Sequence, residues 1–387
     1  MIIYYFIFFI IVLLFYVSLG RKTRDVEIIY LQGTMIFLAF FVGLSDMLGG
    51  YDRYIYAELF DDAADIVSKG QPLQNIALFS LYPKETGYTW FNIILSLITS
   101  NRYIFILLTT FIIYSLLFLS FKRYCHNYPF AVILFLGLWF FFTFTYLRQV
   151  LGATICWLGI QYIIDRKMWR FLLVWFIGYK FHNSALIFLP IYFIPMKKFD
   201  RQVVIKVMVA CFLIGLTGLP SALFAAYGEV DNSRAHEVGT ESGFRLPYLV
   251  EAVFFLYIIL SKYHEIPERK LNIILCNMAI VFCGILLFFI KSENGGRLSW
   301  YYMIGVISTI TYLSTHTGKN KNYALLMIVT CFFLFNRIVN GWGIQLSPYK
   351  TFLTNGVREG DMIEVKYEYD HNYDRDKFYR PALWFLQ

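Results

Sequence analysis

Long apolar runs alternate with short polar connectors along most of the chain. Runs of about 15–20 residues have the length that crosses a bilayer as a helix. A lipid-exposed strand would leave its backbone groups unpaired, so each run is expected to be helical. The runs also lack the period-two alternation of a membrane β-barrel. The pattern predicts an all-α, polytopic integral membrane protein with about twelve transmembrane or half-membrane helices.

Ten runs are predicted to span, and two further runs are shorter or interrupted. Residues 85–101 are interpreted as dipping into the membrane and returning, because a full crossing would move the later basic connectors to the outside. The run 169–195 is interrupted at Lys180 and His182 and predicts a hairpin of two short helices whose ends line a cavity. The predicted spans lie at approximately 2–19, 28–48, 103–120, 130–147, 149–164, 203–219, 246–260, 271–290, 298–314 and 323–340.

The polar segments divide the chain into a membrane domain and a tail. Residues 1–345 form the predicted membrane domain, and residues 346–387 form a polar tail outside the cytoplasm. Within the membrane domain, 46–84 and 220–245 are predicted outer loops. The first of these is long and acidic, which indicates a functional loop.

Composition agrees with a membrane protein and charge gives its orientation. The chain has 387 residues, of which 58% are hydrophobic and 16% charged, with a net charge of +8. The basic residues lie mainly in short connectors between runs, so they report cytoplasmic connectors and do not predict a nucleic-acid partner. The first run lacks a basic start and a cleavage site, and we interpret it as a retained span that starts outside.

Common cofactor and metal signatures are weak in this sequence. The six cysteines lie mostly in apolar runs without a CxxC pattern, which is typical of small core side chains. The DRD triplet at Asp374 and Asp376 resembles a metal-binding pattern that is common by chance. Neither a phosphate-binding loop nor a hydrolase motif stands in a usable context. We therefore expect no metal and no cofactor.

Arg148 is embedded between two apolar runs. An arginine at the centre of a membrane helix costs about 2.5–3.5 kcal/mol on insertion scales, so it usually faces a cavity and holds a partner. Its planar, permanently charged fork suits a phosphate or diphosphate. The alternative is an interfacial arginine whose side chain reaches the head groups.

His182 is the one histidine inside a hydrophobic stretch. It is a candidate general base for a sugar hydroxyl or a donor to a phosphate. The alternative is a core histidine bonded to a backbone carbonyl. Asn183 and Ser184 are predicted to cap the second half of the hairpin. Lys180 reaches either the same cavity or the head groups.

Three further arginines and two carboxylates are expected on the same outer side as Arg148. Arg53, Arg245 and Arg297 run against the tendency of basic residues to lie inside, and an anionic diphosphate would explain them. Each is otherwise an interfacial anchor. Asp52 and Glu85 are candidates for positioning a sugar or accepting a proton, and are otherwise solvated loop charges.

The order of these motifs resembles the EpsG family of Wzy-like bacterial polysaccharide polymerases, over about residues 1–345. The RQ and FHNSAL pair is the most specific element of the resemblance. The motifs, as they stand here, are YDRY at 51–54, ETGY at 85–88, RQ at 148–149, FHNSAL at 181–186 and RL at 297–298.

The resemblance implies a fold similar to the C-type glycosyltransferase group, in the bacterial cytoplasmic (inner) membrane with its active site facing outside. The implied activity joins undecaprenyl-diphosphate-linked oligosaccharide repeat units into O-antigen, capsule or exopolysaccharide, with lipid diphosphate as the leaving group. Arg148 and His182 match the family's implicated arginine and histidine, and Asp52 and Glu85 join them as catalytic candidates. The expected substrate contacts are Arg53, Gln149, Lys180, Asn183, Arg245, Arg297 and Tyr301.

Two other functions fit the same pattern. A flippase for the lipid-linked glycan predicts internal symmetry between halves, which the sequence does not display. A membrane acyltransferase acting on polysaccharide would also use a histidine in a membrane cavity, and would require an acyl donor. For the polymerase, membrane lipid is a further expected partner, and the resemblance leaves room for a chain-length regulator and a flippase.

Overall fold

The structure is a computed structural model, and it is helical throughout the part of the chain that it describes. Within that part, the extended backbone pairing consists of one antiparallel bridge between Ser45 and Thr351. The all-α expectation is therefore confirmed. The described residues are 1–18, 24–47, 51–220, 222–223, 243–292, 295–315, 321–347, 349–354 and 380–383.

The α-helices are numbered here in chain order. They are α1 Ile2–Ser18, α2 Arg24–Gly43, α3 Tyr51–Ser68, α4 Ala77–Leu81, α5 Thr86–Ser96, α6 Arg102–Tyr124, α7 Tyr128–Leu138, α8 Phe142–Thr145, α9 Leu147–Leu158, α10 Ile160–Ile164, α11 Met168–Phe181, α12 Arg201–Leu216, α13 Leu246–Ser261, α14 Lys270–Phe288, α15 Gly295–Ser299, α16 Met303–Thr315, α17 Lys321–Gly341 and α18 Gly343–Leu346. Short 3-10 helices cover Leu73–Asn75, Asn183–Phe193, Tyr263–Glu265 and Trp300–Tyr302.

Within the described residues, five helical stretches are long and apolar enough to cross a membrane, so the chain is a membrane protein. Shorter apolar helices accompany them, among them Ile2–Val17 and Leu246–Ser261. About twelve crossing or half-crossing helices were expected, whereas five of the described helical stretches meet the requirements of both length and apolar composition for a full crossing. The five stretches are Arg24–Gly43, Arg102–Tyr124, Leu147–Ile164, Lys270–Phe288 and Asn322–Gly341.

The apolar run 130–147 shows why apolar length alone overestimates a helix. Helix α7 ends at Leu138, where the amides of Trp139 and Phe140 both donate to the carbonyl of Phe135. The chain then turns through the short helix α8 before α9 begins. Aromatic packing holds this turn, since the rings of Phe140 and Phe144 lie 5.2 Å apart at 90°.

The two runs that were predicted to be shorter or interrupted, 85–101 and 169–195, contain only short helices. Helix α5 has 11 residues, about 16 Å of rise, which is well short of a hydrocarbon core of about 30 Å. The run 169–195 contains the 14-residue helix α11 and an 11-residue 3-10 helix. Pro190 lies inside that 3-10 helix and excludes a regular α-helix, because it lacks an amide proton and clashes with the preceding turn.

Contacts between helix ends define two ends of the bundle. At one end, here called the basic end, Tyr124 donates to the carbonyl of Trp157 and Ser308 donates to the carbonyl of Tyr124. The connectors at this end carry most of the basic clusters, namely Lys122, Arg123, Arg166, Lys167, Lys197, Lys198, Lys262 and Arg269. The opposite end, here called the site end, holds the starts of α5, α9 and α15.

Helix α9 lies in the core and approaches α11 closely through two glycines. A Cβ at Gly178 would lie 2.6 Å from Sγ of Cys156 and 2.9 Å from the carbonyl oxygen of Gly152. Trp157 on α9 donates from Nε1 to the carbonyl of Tyr301 at 2.9 Å. These contacts fix the middle and the last turn of α9 against α11 and against the segment that precedes α16.

Candidate functional site

Arg148 and Glu85 form a buried ion pair at the site end. Arg148 lies in the first turn of α9, and its Nη1 donates to Oε2 of Glu85, the residue that precedes α5. The side chains are 11% and 3% exposed. Two charges this deep are stable only together, because a single buried charge would lose its solvation without compensation. The carboxylate of Glu85 therefore compensates the free-energy cost of burying the charged guanidinium of Arg148.

Three tyrosine rings surround the same guanidinium. The ring of Tyr82 lies 3.6 Å from Cζ of Arg148, and the rings of Tyr56 and Tyr88 lie at 5.4 and 5.9 Å. Cation–π contacts of this kind contribute about 0.5–2 kcal/mol each, and most when desolvated. Burial raises the pKa of Tyr56, and Arg148 only partly offsets this, so the phenol stays protonated.

Glu85 joins the hairpin to this pair. Its Oε1 accepts from the backbone amide of Asn183 at 3.0 Å. The same oxygen lies 4.0 Å from Nδ1 of His182. One carboxylate thus receives a guanidinium from α9 and an amide from the hairpin, with an imidazole beside it. Arg148, His182 and Glu85, predicted separately from sequence, meet at one point.

The hairpin is capped by His182, which corrects the expectation that Asn183 and Ser184 would cap it. His182 is extended, with φ −155° and ψ 121°, and its Nδ1 accepts from the amide of Ser184 at 3.2 Å. An accepting Nδ1 places the proton of a neutral ring on Nε2. The hydroxyl of Ser184 lies 2.7 Å from Nδ1 and 3.0 Å from the hydroxyl of Tyr301. Tyr301 is fully buried, and its hydroxyl holds the hydroxyl of Ser184 in position.

A second arginine–carboxylate pair lies nearer the surface. Nη2 of Arg297 is 3.8 Å from Oδ2 of Asp52, and the side chains are 31% and 26% exposed. The guanidinium of Arg297 stacks on the ring of Tyr146, 4.0 Å from the centroid. Partly exposed pairs of this length contribute about 0–1 kcal/mol, so this pair separates far more easily than the buried one.

Residues 145–149 hold both pairs in place. Oγ1 of Thr145 accepts from the amide of Asp52 at 3.0 Å, and Tyr146 supports Arg297. Arg148 engages Glu85, and Nε2 of Gln149 donates to the carbonyl of Arg297 at 2.8 Å. Gln149, predicted as a substrate contact, thus also fixes the backbone of the second arginine.

The remaining predicted residues are less directly placed. Nζ of Lys180 lies 3.5 Å from the carbonyl of Lys84, next to Glu85. The backbone amide of Arg245 donates to Ile290, and the nearby Tyr248 packs on Gly296 beside Arg297. The DRD triplet and most of the predicted outer loop 220–245 lie outside the described residues.

Arg53 differs from Arg245 and Arg297, the other two arginines predicted as substrate contacts, because it is fully buried. Its Nη2 donates to the carbonyls of Val42 and Ser45, each at 2.9 Å, at the end of α2. Burial lowers its pKa to about 10 and the carboxylate of Asp46 partly offsets this, so it remains charged at neutral pH. Its contacts indicate that it holds α2 and α3 together.

Sequence reasoning did not single out the tyrosines that support the arginines. Tyr56, Tyr82, Tyr88 and Tyr146 contact a guanidinium, yet they are four among 30 tyrosines in the chain. Their spacing could have indicated this role, because Tyr56 follows Asp52, and Tyr88 follows Glu85, by about one helical turn.

The fold and the site define a polytopic helical membrane protein with a buried and a partly exposed arginine–carboxylate pair beside His182 at one end. The family model for the EpsG family matches residues 28–351. The chain therefore belongs to the EpsG family, as the order of its motifs indicated. No curated protein and no solved structure matches it significantly. Family membership indicates a polymerase of polysaccharide biosynthesis that acts on a lipid-linked oligosaccharide.

Proposed function

We propose that the protein joins lipid-diphosphate-linked oligosaccharide repeat units by block transfer at its site end. A hydroxyl of one repeat unit attacks the anomeric carbon of the growing chain on its carrier. The new bond joins that oxygen to the anomeric carbon, the bond to the diphosphate breaks, and lipid diphosphate leaves with its electron pair. The observation that carries the proposal is the convergence of Arg148, Glu85 and His182 beside the more exposed pair of Arg297 and Asp52.

The site end faces outside in this proposal. Basic connectors gather at the opposite end of the bundle, and such connectors favour the cytoplasm. The protein would then work in the bacterial cytoplasmic membrane and receive undecaprenyl-linked units at the outer leaflet. Both arginine pairs would lie on the side where those units arrive.

The two arginines differ in what they offer a diphosphate. Arg297 is partly exposed and its contact with Asp52 is long, so an incoming diphosphate can replace that carboxylate at small cost. Arg148 is held by Glu85 and by Tyr82 in a fixed position. Charge that develops on the leaving oxygen is stabilised best by groups that need not reorganise. In the proposal, Arg297 captures the diphosphate and Arg148 supplies the fixed charge.

In the proposal, the carboxylate of Glu85 accepts the proton of the attacking hydroxyl, and His182 lies beside it with its Nδ1 already accepting from Ser184. Both side chains are nearly buried, and both are oriented by hydrogen bonds to the start of the 3-10 helix. A base must lie within hydrogen-bond reach of the proton that it removes. The half-buried rings of Tyr82 and Tyr146 offer apolar faces on which sugar rings can stack.

The test is the glycan profile of a deletion strain complemented with variants of Arg148. Arg148→Ala is expected to leave single repeat units on the carrier and no long polymer. Arg148→Lys keeps the charge without the fork and is expected to give little polymer. Arg170→Ala is the matched control, because Arg170 is an exposed arginine at the basic end.

Protein levels in the membrane are measured for every variant. Long polymer made by a normally abundant Arg148→Ala protein contradicts the proposal. Complete loss of outer glycan in the deletion strain would indicate a flippase instead. An unchanged chain length with lost acylation would indicate an acyltransferase.

A further inference from the structure

Helices α12 and α13 leave an apolar groove between them. Both pack on α14: a Cβ at Gly284 would lie 3.3 Å from Cε of Met208, and the rings of Phe255 and Phe282 lie 5.9 Å apart. The groove has a volume of about 360 Å³, with Leu287 of α14 among its lining residues. Its walls include Ile205, Met208, Phe212, Val253 and Tyr257.

The groove continues into a polar pocket at the basic end. That pocket has a volume of about 560 Å³, and Arg201 and Leu260 line both spaces. It also contains Lys198, Asp200 and Glu268. A mostly apolar groove thus adjoins a pocket of charged side chains. This arrangement matches a molecule with a hydrocarbon chain and a charged head.

The charges of the pocket are balanced, and this selects the head group. Lys198 and Arg201 are cationic, whereas Asp200 and Glu268 are anionic, and His264 lies at the rim. Lys198 and Asp200 already serve the protein: Lys198 donates to the carbonyl of Ile266 at 3.0 Å, and Asp200 accepts from the amide of Gln202 at 2.7 Å. Arg201 and Glu268 are exposed and of opposite charge, and they suit a phosphate and an ammonium.

We propose that this groove and pocket bind one zwitterionic phospholipid, of the phosphoethanolamine class, from the leaflet at the basic end. One of its two hydrocarbon chains lies between α12 and α13, its phosphate meets Arg201, and its ammonium meets Glu268. A free phosphate would leave the apolar groove unused, and a lipid of net negative charge would leave Glu268 opposed to it. The proposal does not depend on the polymerase reaction, because the groove lies away from Arg148 and Glu85.

The lipid would stabilise a weakly packed part of the fold. Ile205 and Val209 of α12 line the groove and are 44% and 51% exposed, so this helix presents apolar surface in the groove that α14 does not cover. Burying apolar surface contributes about 25 cal/mol per Å² in water, but within a bilayer this term is absent, and retention must come from packing and the head group. Specific retention of one lipid is therefore the property to measure.

The experiment is native mass spectrometry of the purified, delipidated full-length protein. It is titrated with dioleoyl phosphatidylethanolamine and, separately, with dioleoyl phosphatidylglycerol. One phosphatidylethanolamine is expected to be retained in clear preference to phosphatidylglycerol. Arg201→Gln is expected to weaken that retention roughly threefold to fivefold, the loss of one partly exposed ion pair. Arg170→Gln, an exposed arginine outside the pocket, is expected to leave it unchanged.

A second pair of variants tests the groove itself. Val253→Trp fills the groove and is expected to abolish retention of the lipid. Val250→Trp, at a similarly exposed position on the same helix outside the groove, is expected to have no effect. Equal retention of both lipids, or wild-type retention by Arg201→Gln, would overturn the proposal. A dimer that Val253→Trp disrupts would also overturn it, since a second copy of the chain would then occupy the groove.

Discussion

Removal of the carboxylate of Glu85 is expected to destabilise the protein strongly. Glu85→Ala leaves the guanidinium of Arg148 buried without its counter-charge, and leaves the amide of Asn183 without its acceptor. Breaking a buried pair by removing one partner typically costs about 3–5 kcal/mol. Asp52→Ala is the matched control, because its pair with Arg297 is partly exposed and is expected to cost about 0–1 kcal/mol.

The magnitude is measured by equilibrium unfolding of the purified protein in mixed micelles, followed by tryptophan fluorescence. The double variant Glu85→Ala/Arg148→Ala completes a mutant cycle, which isolates the interaction from the two single effects. Because removal of both charges leaves no charge unpaired, the double variant is expected to lose about 2 kcal/mol less than the sum of the single variants. Additive losses, or a loss below about 1 kcal/mol for Glu85→Ala, would refute the reasoning.

Three further outcomes are expected. Tyr82→Ala is expected to lower polymer formation about 2- to 30-fold while Tyr82→Phe retains it, because the ring face supports Arg148; glycan gels measure this, and equal loss by both variants would contradict it. Gly178→Ala places a Cβ 2.6 Å from Cys156 and should cost about 1–3 kcal/mol and reduce polymer, whereas Gly33→Ala, which meets nothing within 4 Å, should not. Arg53→Met is expected to lower the free energy of unfolding by about 1–3 kcal/mol and to leave polymer per folded protein unchanged, so a catalytic defect at normal stability would return Arg53 to the site.

The class of fold follows from the sequence because apolar length decides it. A membrane requires internally bonded backbone, so long apolar runs become helices whatever their detailed order. The same rule does not fix where a helix ends inside an apolar run. After Leu138 the amides of Trp139 and Phe140 both donate to the carbonyl of Phe135, and the two rings pack on Trp300 and Phe335, which are distant in sequence.

The candidate site was predictable as a set of residues and not as a set of contacts. Arg148, Glu85 and His182 stand out because charge or imidazole in an apolar setting is costly. Glu85 contacts the side chain of Arg148 and the backbone amide of Asn183, which lie 63 and 98 positions away, and no local sequence pattern reports such contacts. The sequence does not distinguish Arg53 from Arg297, but their folded environments differ. Arg53 donates to buried backbone carbonyls, whereas Arg297 forms a partly exposed pair with Asp52.

Arg148 and Arg297 are each paired with a carboxylate. These pairs explain how a proposed anion-binding site can be stable when no substrate is bound. An arginine held ready for a diphosphate in a nearly dry site must otherwise remain uncompensated, and that costs several kcal/mol. The depth of each pair then decides whether its carboxylate can be exchanged. In the proposal, the partly exposed carboxylate of Asp52 gives way to a diphosphate, whereas Glu85 is held by Arg148 and by the amide of Asn183 and stays in place. In the proposed reaction, Glu85 therefore remains next to His182, where a base is needed, and removal of the Asp52 carboxylate is expected to tighten binding of the diphosphate.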